Sequence, residues 1–263
     1  MVHVACDVRP GVRDVAAEEP LEIRLGGQPF VVIMRTPGAD RDLATGFLLS
    51  EQIIRGLGEV SSMRYCVDAD EGDANNVLNV WLTGEAAVRA QTALAGRRHV
   101  TANSACGVCG RRSIDDLIDG TRRIDSAMTI SRGVIERMPD TLRAAQPAFE
   151  RTGGIHAATL LDADGTMVGV AEDVGRHNAV DKVIGAEFTR GRWPLSNRVL
   201  FVSGRTSFEI VQKGVVAGVP IIAAVSAPSS LAIELAQEAN VTLLGFVRNR
   251  TFNVYSGVQR IRV

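Results

Sequence analysis

The chain has 263 residues, a formal net charge of −1, 22% charged and 46% hydrophobic residues. At that length it buries roughly three quarters of the surface that its unfolded form would expose, and the balance of apolar and charged residues excludes a disordered chain. Near-neutral charge also argues against a general nucleic-acid binder, which needs a basic excess.

In chain order, LEIRLGGQPFVVIMRT (21–36) is two apolar runs around Gly26-Gly27 and predicts a β-hairpin. In ADRDLATGFLLSEQIIRG (39–56), Leu43, Phe47, Ile53 and Ile54 fall mostly on one helical face, with Gly56 as the stop. Strands are expected near 60–67 and 77–82, flanking an acidic, Asn-rich turn, and a short helix over 85–94. Residues 96–112 are polar and Gly-containing, lack an apolar period and predict a loop. Residues 139–149 fit a helix opened by Pro139 at its first turn. Strands at 155–161 and 166–171 follow, joined by Asp162-Ala163-Asp164-Gly165, then alternating helices (175–188, 207–216, 229–239) and strands (198–202, 219–225, 241–246). That alternation implies a parallel sheet with helices on its faces. A boundary within 126–132 divides the chain into residues 1–130 and 131–263.

The longest nearly apolar stretch, 215–228, is short for a bilayer span and is broken by Gly218, Pro220 and Ser226, so no membrane association is expected. Residues 1–20 carry Asp7, Arg9, Arg13, Asp14, Glu18 and Glu19 and no apolar block, so no secretory signal is expected. Cys6, Cys66, Cys106 and Cys109 are too few and too uneven for a disulfide scaffold, which makes a cytoplasmic protein with reduced thiols the expectation. Lys182 and Lys213 are the only lysines. Genome composition accounts for such usage, but arginine also suits planar recognition of phosphate and carboxylate, so position must decide.

The sharpest chemical signal is SACGVCGRRSIDDL, with Cys106 and Cys109 spaced CxxC and a glycine after each. Ser113 followed by Asp116 reads as a helix start, so both thiols precede a helix N-terminus, with Arg111 and Arg112 beside them. Such surroundings favour a thiolate: lowering a thiol pKa from about 8.5 to about 7 takes it from a few per cent to half ionised at neutral pH. Structural zinc would need two further ligands, a thioredoxin-like centre lacks its strand and adjacent tryptophan, and two incidental thiols or an exposed reactive thiol complete the readings. CxxC alone leaves these open.

Two further signals are helix starts. In EDVGRHNAVDKVIG, Asp173 can cap the helix, Val180, Val183 and Ile184 supply its buried face, and Arg176, His177, Asn178 and Asp181 are left over on the first turns. In FVSGRTSFE, a strand runs through Ser203, Gly204 and Arg205 into a helix; amide groups, glycine and arginine together make an anion site. Both starts would lie at the carboxyl ends of strands, where a phosphate-bearing ligand binds. The alternative is that Arg176 and Arg205 pair with Glu172 and Glu209 on a solvated rim. His177 alone points equally to a hydrogen-bonded structural group. In LLGFVRNRTFNVYS, Arg248 and Arg250 lie among Phe246, Phe252 and Tyr255, a mixture suited to stacking a planar ring and clamping phosphate.

Taken together, SACGVCG, TGGIHAA, EDVGRHNAVDKVIG, SGRTSFEIVQKG, AVSAPSSLAIELA and LLGFVRNRTFNVYS resemble the signature blocks of the FdhD family, and RTPGADRDLATGFLLSEQII its N-terminal block, over residues 21–256. The resemblance implies a sulfur carrier, or sulfurtransferase. It would accept sulfane sulfur from a cysteine desulfurase as a persulfide and pass it to the molybdenum cofactor, in its bis-molybdopterin guanine dinucleotide form, for formate dehydrogenase. It implies Cys106 as the persulfide cysteine with Cys109 its partner, and Phe246, Val247, Arg248, Asn249, Arg250 and Thr251 at the guanine dinucleotide. Arg176, His177, Ser203, Gly204 and Arg205 complete the expected cofactor site, with no intrinsic metal. It implies a homodimer, and an α/β fold in which a smaller N-terminal α+β domain precedes a cytidine-deaminase-like three-layer α/β/α domain. The deaminase zinc ligands, H-x-E and P-C-x-x-C at two helix starts, are absent: the corresponding segments read His177-Asn178-Ala179 and Ser203-Gly204-Arg205-Thr206-Ser207. Departures are small: the family pattern expects an acidic residue at Ala39, a glycine at Gln52 and a lysine at Arg111. A zinc deaminase, and a cofactor-binding chaperone that moves no sulfur, are the rival readings.

Overall fold

The computed structural model describes residues 14–66, 75–97 and 123–262. A four-stranded sheet opens the chain: β1 (Glu19–Leu25), β2 (Gln28–Arg35), β3 (Val60–Tyr65) and β4 (Val77–Leu82), in the order β2-β1-β4-β3. The hairpin between β1 and β2 turns on Gly26 and Gly27, both with positive φ, as a two-residue turn matched to strand twist requires. Leu21, Ile23 and Leu25 alternate onto the buried face. Helix α1 (Asp40–Ser50) connects β2 to β3, and α2 (Gly84–Arg97) follows β4.

α1 ends at Ser50, not near Gly56 as the apolar spacing predicts. Gln52 adopts φ 57 and the amides of Gln52 and Ile53 turn back onto the carbonyls of Leu49 and Leu48. Ile53 and Ile54 therefore reach the core from beyond the helix. The family pattern expects glycine at this left-handed position, which glycine occupies without strain.

After β5 (Ile130–Ser131) come α3 (Arg132–Ala144) and the short α4 (Pro147–Thr152). Here the proline expectation is corrected: Pro139 lies inside α3, which starts at Arg132 with the Ser131 hydroxyl accepting from the Val134 amide at 3.3 Å. Pro147 is the residue that opens a helix. Pro139 removes one helical hydrogen bond, but the stripe Val134, Ile135, Met138 and Leu142 is buried across it. Packing of that stripe outweighs the local cost.

The larger sheet has six strands: β6 (His156–Leu161), β7 (Met167–Asp173), β8 (Val199–Val202), β9 (Ile221–Ala224), β10 (Thr242–Arg248) and β11 (Thr251–Ser256), ordered β11-β10-β9-β8-β6-β7. Helices α5 (Arg176–Thr189), α6 (Phe208–Val216) and α7 (Ser230–Glu238) link β7 to β8, β8 to β9 and β9 to β10. The expected parallel sheet forms only the middle of a mixed one. β8, β9 and β10 are parallel, whereas β6, β7 and β11 run antiparallel to their neighbours. The turns 162–165 and 249–250 are too short for a crossover, so those strands form hairpins. Val180, Val183, Ile184, Ile210, Val211 and Leu235 cover one face of this sheet, and the α3 stripe covers the other against Phe201, Ala223 and Leu244. β5 pairs in parallel with a C-terminal strand, β12 (Ile261–Arg262). Among the described residues no helix is long and apolar enough to cross a membrane.

The first sheet and the helices of the second share one continuous core, joined where α1 crosses α5. At the crossing a Cβ on Gly46 would overlap the Asp181 carbonyl, and one on Gly185 would overlap the Asp42 carbonyl. Only glycine permits this approach. Gly46→Ala is expected to destabilise the fold by about 3 kcal/mol through overpacking, while Gly58→Ala, with nothing within 4 Å of the added Cβ, should stay within about 0.5 kcal/mol. Equilibrium urea unfolding of the two variants measures the difference; equal midpoints would contradict the crossing.

Candidate functional site

Because β6 runs antiparallel to β7 and β8, its first residue, His156, lies at the edge where β7 and β8 end. β7 delivers the chain to Gly175 and α5, and β8 delivers it through Ser203, Gly204, Arg205, Thr206 and Ser207 to α6. These two helix starts are adjacent. A Cβ at Gly204 would sit 3.4 Å from His156 Nδ1 and 3.7 Å from Arg176 Cδ, so glycine lets the β8 turn lie against both side chains. Ser203 extends the β6–β8 ladder, donating its amide to the Ala157 carbonyl and accepting the Ala157 amide on Oγ, both at 2.9 Å.

The third helix start is fastened to the second. The Thr206 amide donates to the Ala227 carbonyl (3.1 Å), its carbonyl accepts from the Ser229 amide (3.0 Å), and Thr206 and Pro228 form a parallel bridge. Thr206 is fully buried and its Oγ1 has no hydrogen-bond partner. The same loop, 225–229, touches the β10–β11 hairpin: the Phe246 amide donates to the Ser226 carbonyl at 3.1 Å. Residues 246–251 thus join this edge. Asn249 and Arg250 have φ 52 and 58, a two-residue left-handed turn made without glycine, and Phe246 is also left-handed at φ 54. Arg248, Asn249, Arg250 and Thr251 are exposed, with the Arg248 guanidinium 5.3 Å from the Phe246 ring centre. Val247 is buried in the core against the α3 side.

The rim-pairing alternative for the arginines does not hold. Glu172 accepts the Ala148 and Phe149 amides at 3.0 and 2.8 Å, at the start of α4. Glu209 lies 3.4 Å from His177 Nδ1 and 3.5 Å from Lys213 Nζ. Among the described residues neither Arg176 nor Arg205 forms an ion pair, and the buried Arg176 Nε has no hydrogen-bond partner. An arginine whose buried donor is unmet favours an anionic ligand.

His177 is nevertheless neutral. Burial, then the charges of Arg176, Lys213 and His156, push its pKa down from 6.5 to about 3. Burial and Arg176 lower that of His156 as well. The site therefore pairs fixed arginine charge with uncharged imidazoles. Among the described residues no group of three or more His, Cys, Asp or Glu side chains could hold a metal ion.

The start of α5 is itself clamped by the first sheet. Asp173, completely buried, accepts from the Gly175 amide and Asn178 Nδ2, both 2.8 Å, and pairs with Lys182 at 2.7 Å. The expectation that Asp173 caps α5 is corrected: Gly175 is the capping position, without a side-chain capping bond, and Asp173 instead holds the Gly175 amide just before the helix. Thr36 closes the clamp, donating its amide to Asp173 at 3.2 Å, accepting from Lys182 Nζ at 2.8 Å on its carbonyl and from the Val174 amide at 3.1 Å on Oγ1.

The structure thus gathers Arg176, His177, Ser203, Gly204 and Arg205 and joins residues 246–251 to them through one loop. Cys106 and Cys109 lie outside the described residues. His156, Ser207, Glu209 and Lys213 are additional members. Glu209 and Lys213 at i and i+4, in a chain with two lysines, are the one sequence signal that points to them.

The family model described as the FdhD/NarQ family matches residues 16–262. The chain is 52% identical over 252 residues to the sulfur carrier protein FdhD of Nocardia farcinica, covering 94% of this chain and 88% of that one. It is 48% identical over 257 residues to that of Anaeromyxobacter dehalogenans, covering 95% and 89%. Its fold is similar to a crystal structure of a candidate formate dehydrogenase accessory protein from Desulfotalea psychrophila, with a TM-score of 0.72 at 23% identity, covering 94% of this chain and 90% of that one.

The depressed His177 pKa makes a pH prediction. Between about pH 6.5 and 3 the unfolded chain binds a proton here that the folded chain does not, so stability falls as pH drops through that window. His177→Asn should flatten that part of the stability profile. Imidazole NMR should show His177 unprotonated at pH 5, and a titration midpoint near 6.5 would contradict the site electrostatics.

Proposed function

From the premise that the chain belongs to the FdhD/NarQ family, we propose that it is a cytoplasmic, homodimeric sulfur carrier serving formate dehydrogenase. It takes sulfane sulfur from a cysteine desulfurase as a persulfide on Cys106 and passes it to the molybdenum cofactor in its bis-molybdopterin guanine dinucleotide form. The names of the curated relatives support the carrier role, and that of the structural neighbour supports the accessory role. The observation that carries the cofactor half is the pair of arginines, Arg176 and Arg205, without ion-pair partners among the described residues at adjoining helix starts on the sheet edge.

The chemistry asked of Cys106 is thiolate exchange. Its thiolate attacks the terminal sulfur of the donor persulfide, the donor S–S bond breaks, and the desulfurase cysteine leaves as a thiolate. Cys106 then bears the transferable sulfur, and Cys109 is its partner in the loop. The diphosphate groups of the substrate cofactor suit Arg176, Arg205 and the amides of the α6 start. Its guanine suits the exposed Arg248, Asn249, Arg250 and Thr251 beside the Phe246 ring. The strand order, with two antiparallel strands at one side of three parallel ones, and helices on both faces support a cytidine-deaminase-like fold for residues 131–263. In that comparison His177 and the β8–α6 turn occupy the helix starts where a deaminase holds zinc, and the arginines there suit an anion instead.

Two experiments test this reading on the full chain. Incubation with a cysteine desulfurase and cysteine should add one sulfur atom to the Cys106 peptide by mass spectrometry, and Cys106→Ala should abolish the addition; full labelling of the variant would overturn the assignment. Replacing Arg248 and Arg250 together by alanine should weaken guanosine diphosphate binding at least about tenfold, since hydrogen bonds to charged groups are the stronger ones. Unchanged affinity would remove the hairpin from the site.

A further inference from the structure

Ser207 and Ser229 occupy the same position, the capping residue of α6 and of α7, in the same extended conformation. Ser229 caps its helix, its hydroxyl accepting from the Ala232 amide at 3.3 Å. Ser207 makes no capping bond. Its Oγ lies instead 3.2 Å from His177 Nε2 across the gap between α5 and α6. A serine diverted from its usual backbone partner to an imidazole in the site has its hydroxyl direction set by that imidazole.

The proton on that imidazole is set from behind. Glu209 Oε2 lies 3.4 Å from Nδ1, and Glu209 Oε1 lies 3.5 Å from Lys213 Nζ. Lys213 is buried and also bonds both oxygens of Asp181, at 2.9 and 2.8 Å, while Asp181 accepts from Ser50 Oγ at 3.0 Å. Burial works against the Lys213 charge, but the carboxylates of Asp181 and Glu209 outweigh it. Burial likewise pushes the Glu209 carboxyl up, and Lys213 opposes that. A neutral imidazole has one N–H, and the negative charge of Glu209 3.4 Å from Nδ1 favours the tautomer with the proton on that nitrogen, so Nε2 presents only a lone pair. Ser207 must then donate its O–H to Nε2, which leaves Oγ with acceptor lone pairs alone toward the ligand.

We propose that Ser207 is a specificity-determining acceptor of this site, taking a hydrogen bond from an O–H or N–H that the ligand carries beside its phosphates, and that Glu209 and Lys213 are positioning residues acting on it through His177. A phosphate oxygen at that point would meet oxygen lone pairs, so the phosphates go to Arg176 and Arg205. In a nucleotide the donors next to the phosphates are the ribose hydroxyls. A site built to bond a hydroxyl discriminates strongly against the analogue that lacks it. The inference rests on the nucleotide-cofactor reading above and adds to it the sugar hydroxyl and the residue that selects it.

The test titrates the full chain with guanosine 5′-diphosphate and with its 2′,3′-dideoxy analogue. Both carry the same base and phosphates, so their affinity ratio is insensitive to a general loss of binding or fold. The wild type should favour the ribose form about tenfold, the strength of one well-placed hydrogen bond. Ser207→Ala should bring the ratio to about one, and Ser207→Thr, which keeps the hydroxyl, should restore it. Nitrogen-15 spectra should place the His177 proton on Nδ1, and Glu209→Gln should shift it toward Nε2 and reduce the preference. A ratio unchanged in Ser207→Ala, no preference in a wild type that binds, or a proton on Nε2 in the wild type would each overturn the inference. Failure of the wild type to bind either nucleotide would overturn the cofactor reading itself.

Discussion

The backbone contact between α1 and α5 is the constraint on which the site depends. Gly46 and Gly185 bring the two helices closer than any side chain permits, and that approach lets Ser50 of α1 reach Asp181 of α5. α5 is then held by the segment that includes the end of β2 and α1: Thr36 binds Asp173 just before the helix and Lys182 in its middle, and Ser50 binds Asp181 beside it. Arg176 and His177 sit on the first turn of that fixed helix. α1 and the residue that follows β2 therefore act as the support that aims one half of an edge whose other half comes from β8, β9 and β10.

Charge is distributed with the same logic. Both lysines of the chain are interior ion-pair partners, Lys182 with Asp173 and Lys213 with Asp181. Removing one member of such a pair costs about 3–5 kcal/mol, because the other is left charged and buried. The arginines at the sheet edge, Arg176, Arg205, Arg248 and Arg250, are in no ion pair among the described residues. Two ammonium groups neutralise buried carboxylates on and beside α5, Arg35 does the same for buried Asp40, and the guanidinium groups of the edge stay free for phosphate or carboxylate. An overall charge of −1 is compatible with a local cationic edge, because net charge is a sum that does not depend on where the charges lie.

Much of this was legible in the sequence. The strand and helix alternation after residue 155 is read directly from apolar period and turn residues, and Gly-Arg at two helix starts marks the two halves of the edge. Three features were not legible locally. Pro139 reads as a helix start, but the buried stripe of α3 runs across it. The strand order is mixed because turn length, not the number of helices, decides pairing direction. The turn at Asn249 and Arg250 carries no glycine, so its left-handed backbone follows from the pairing of β10 with β11 and the Phe246–Ser226 bond. Glu209 and Lys213 are a local pair, but the steps to His177 are not: Ser207 and Glu209 belong to the start of α6, and only the packing of α5 on α6 brings them to it. The family resemblance named the cysteines and the hairpin, and nothing in composition or spacing leads from His177 to Ser207.

The proposed function requires one anionic cofactor at one sheet edge, held by helix starts that belong to different parts of the chain. A crystal structure of the full chain with guanosine diphosphate tests it most directly. Phosphates are expected against Arg176, Arg205 and the α6 amides, with the base beside Phe246 and Arg248. Nucleotide bound elsewhere on the molecule, with this edge unchanged, would contradict it.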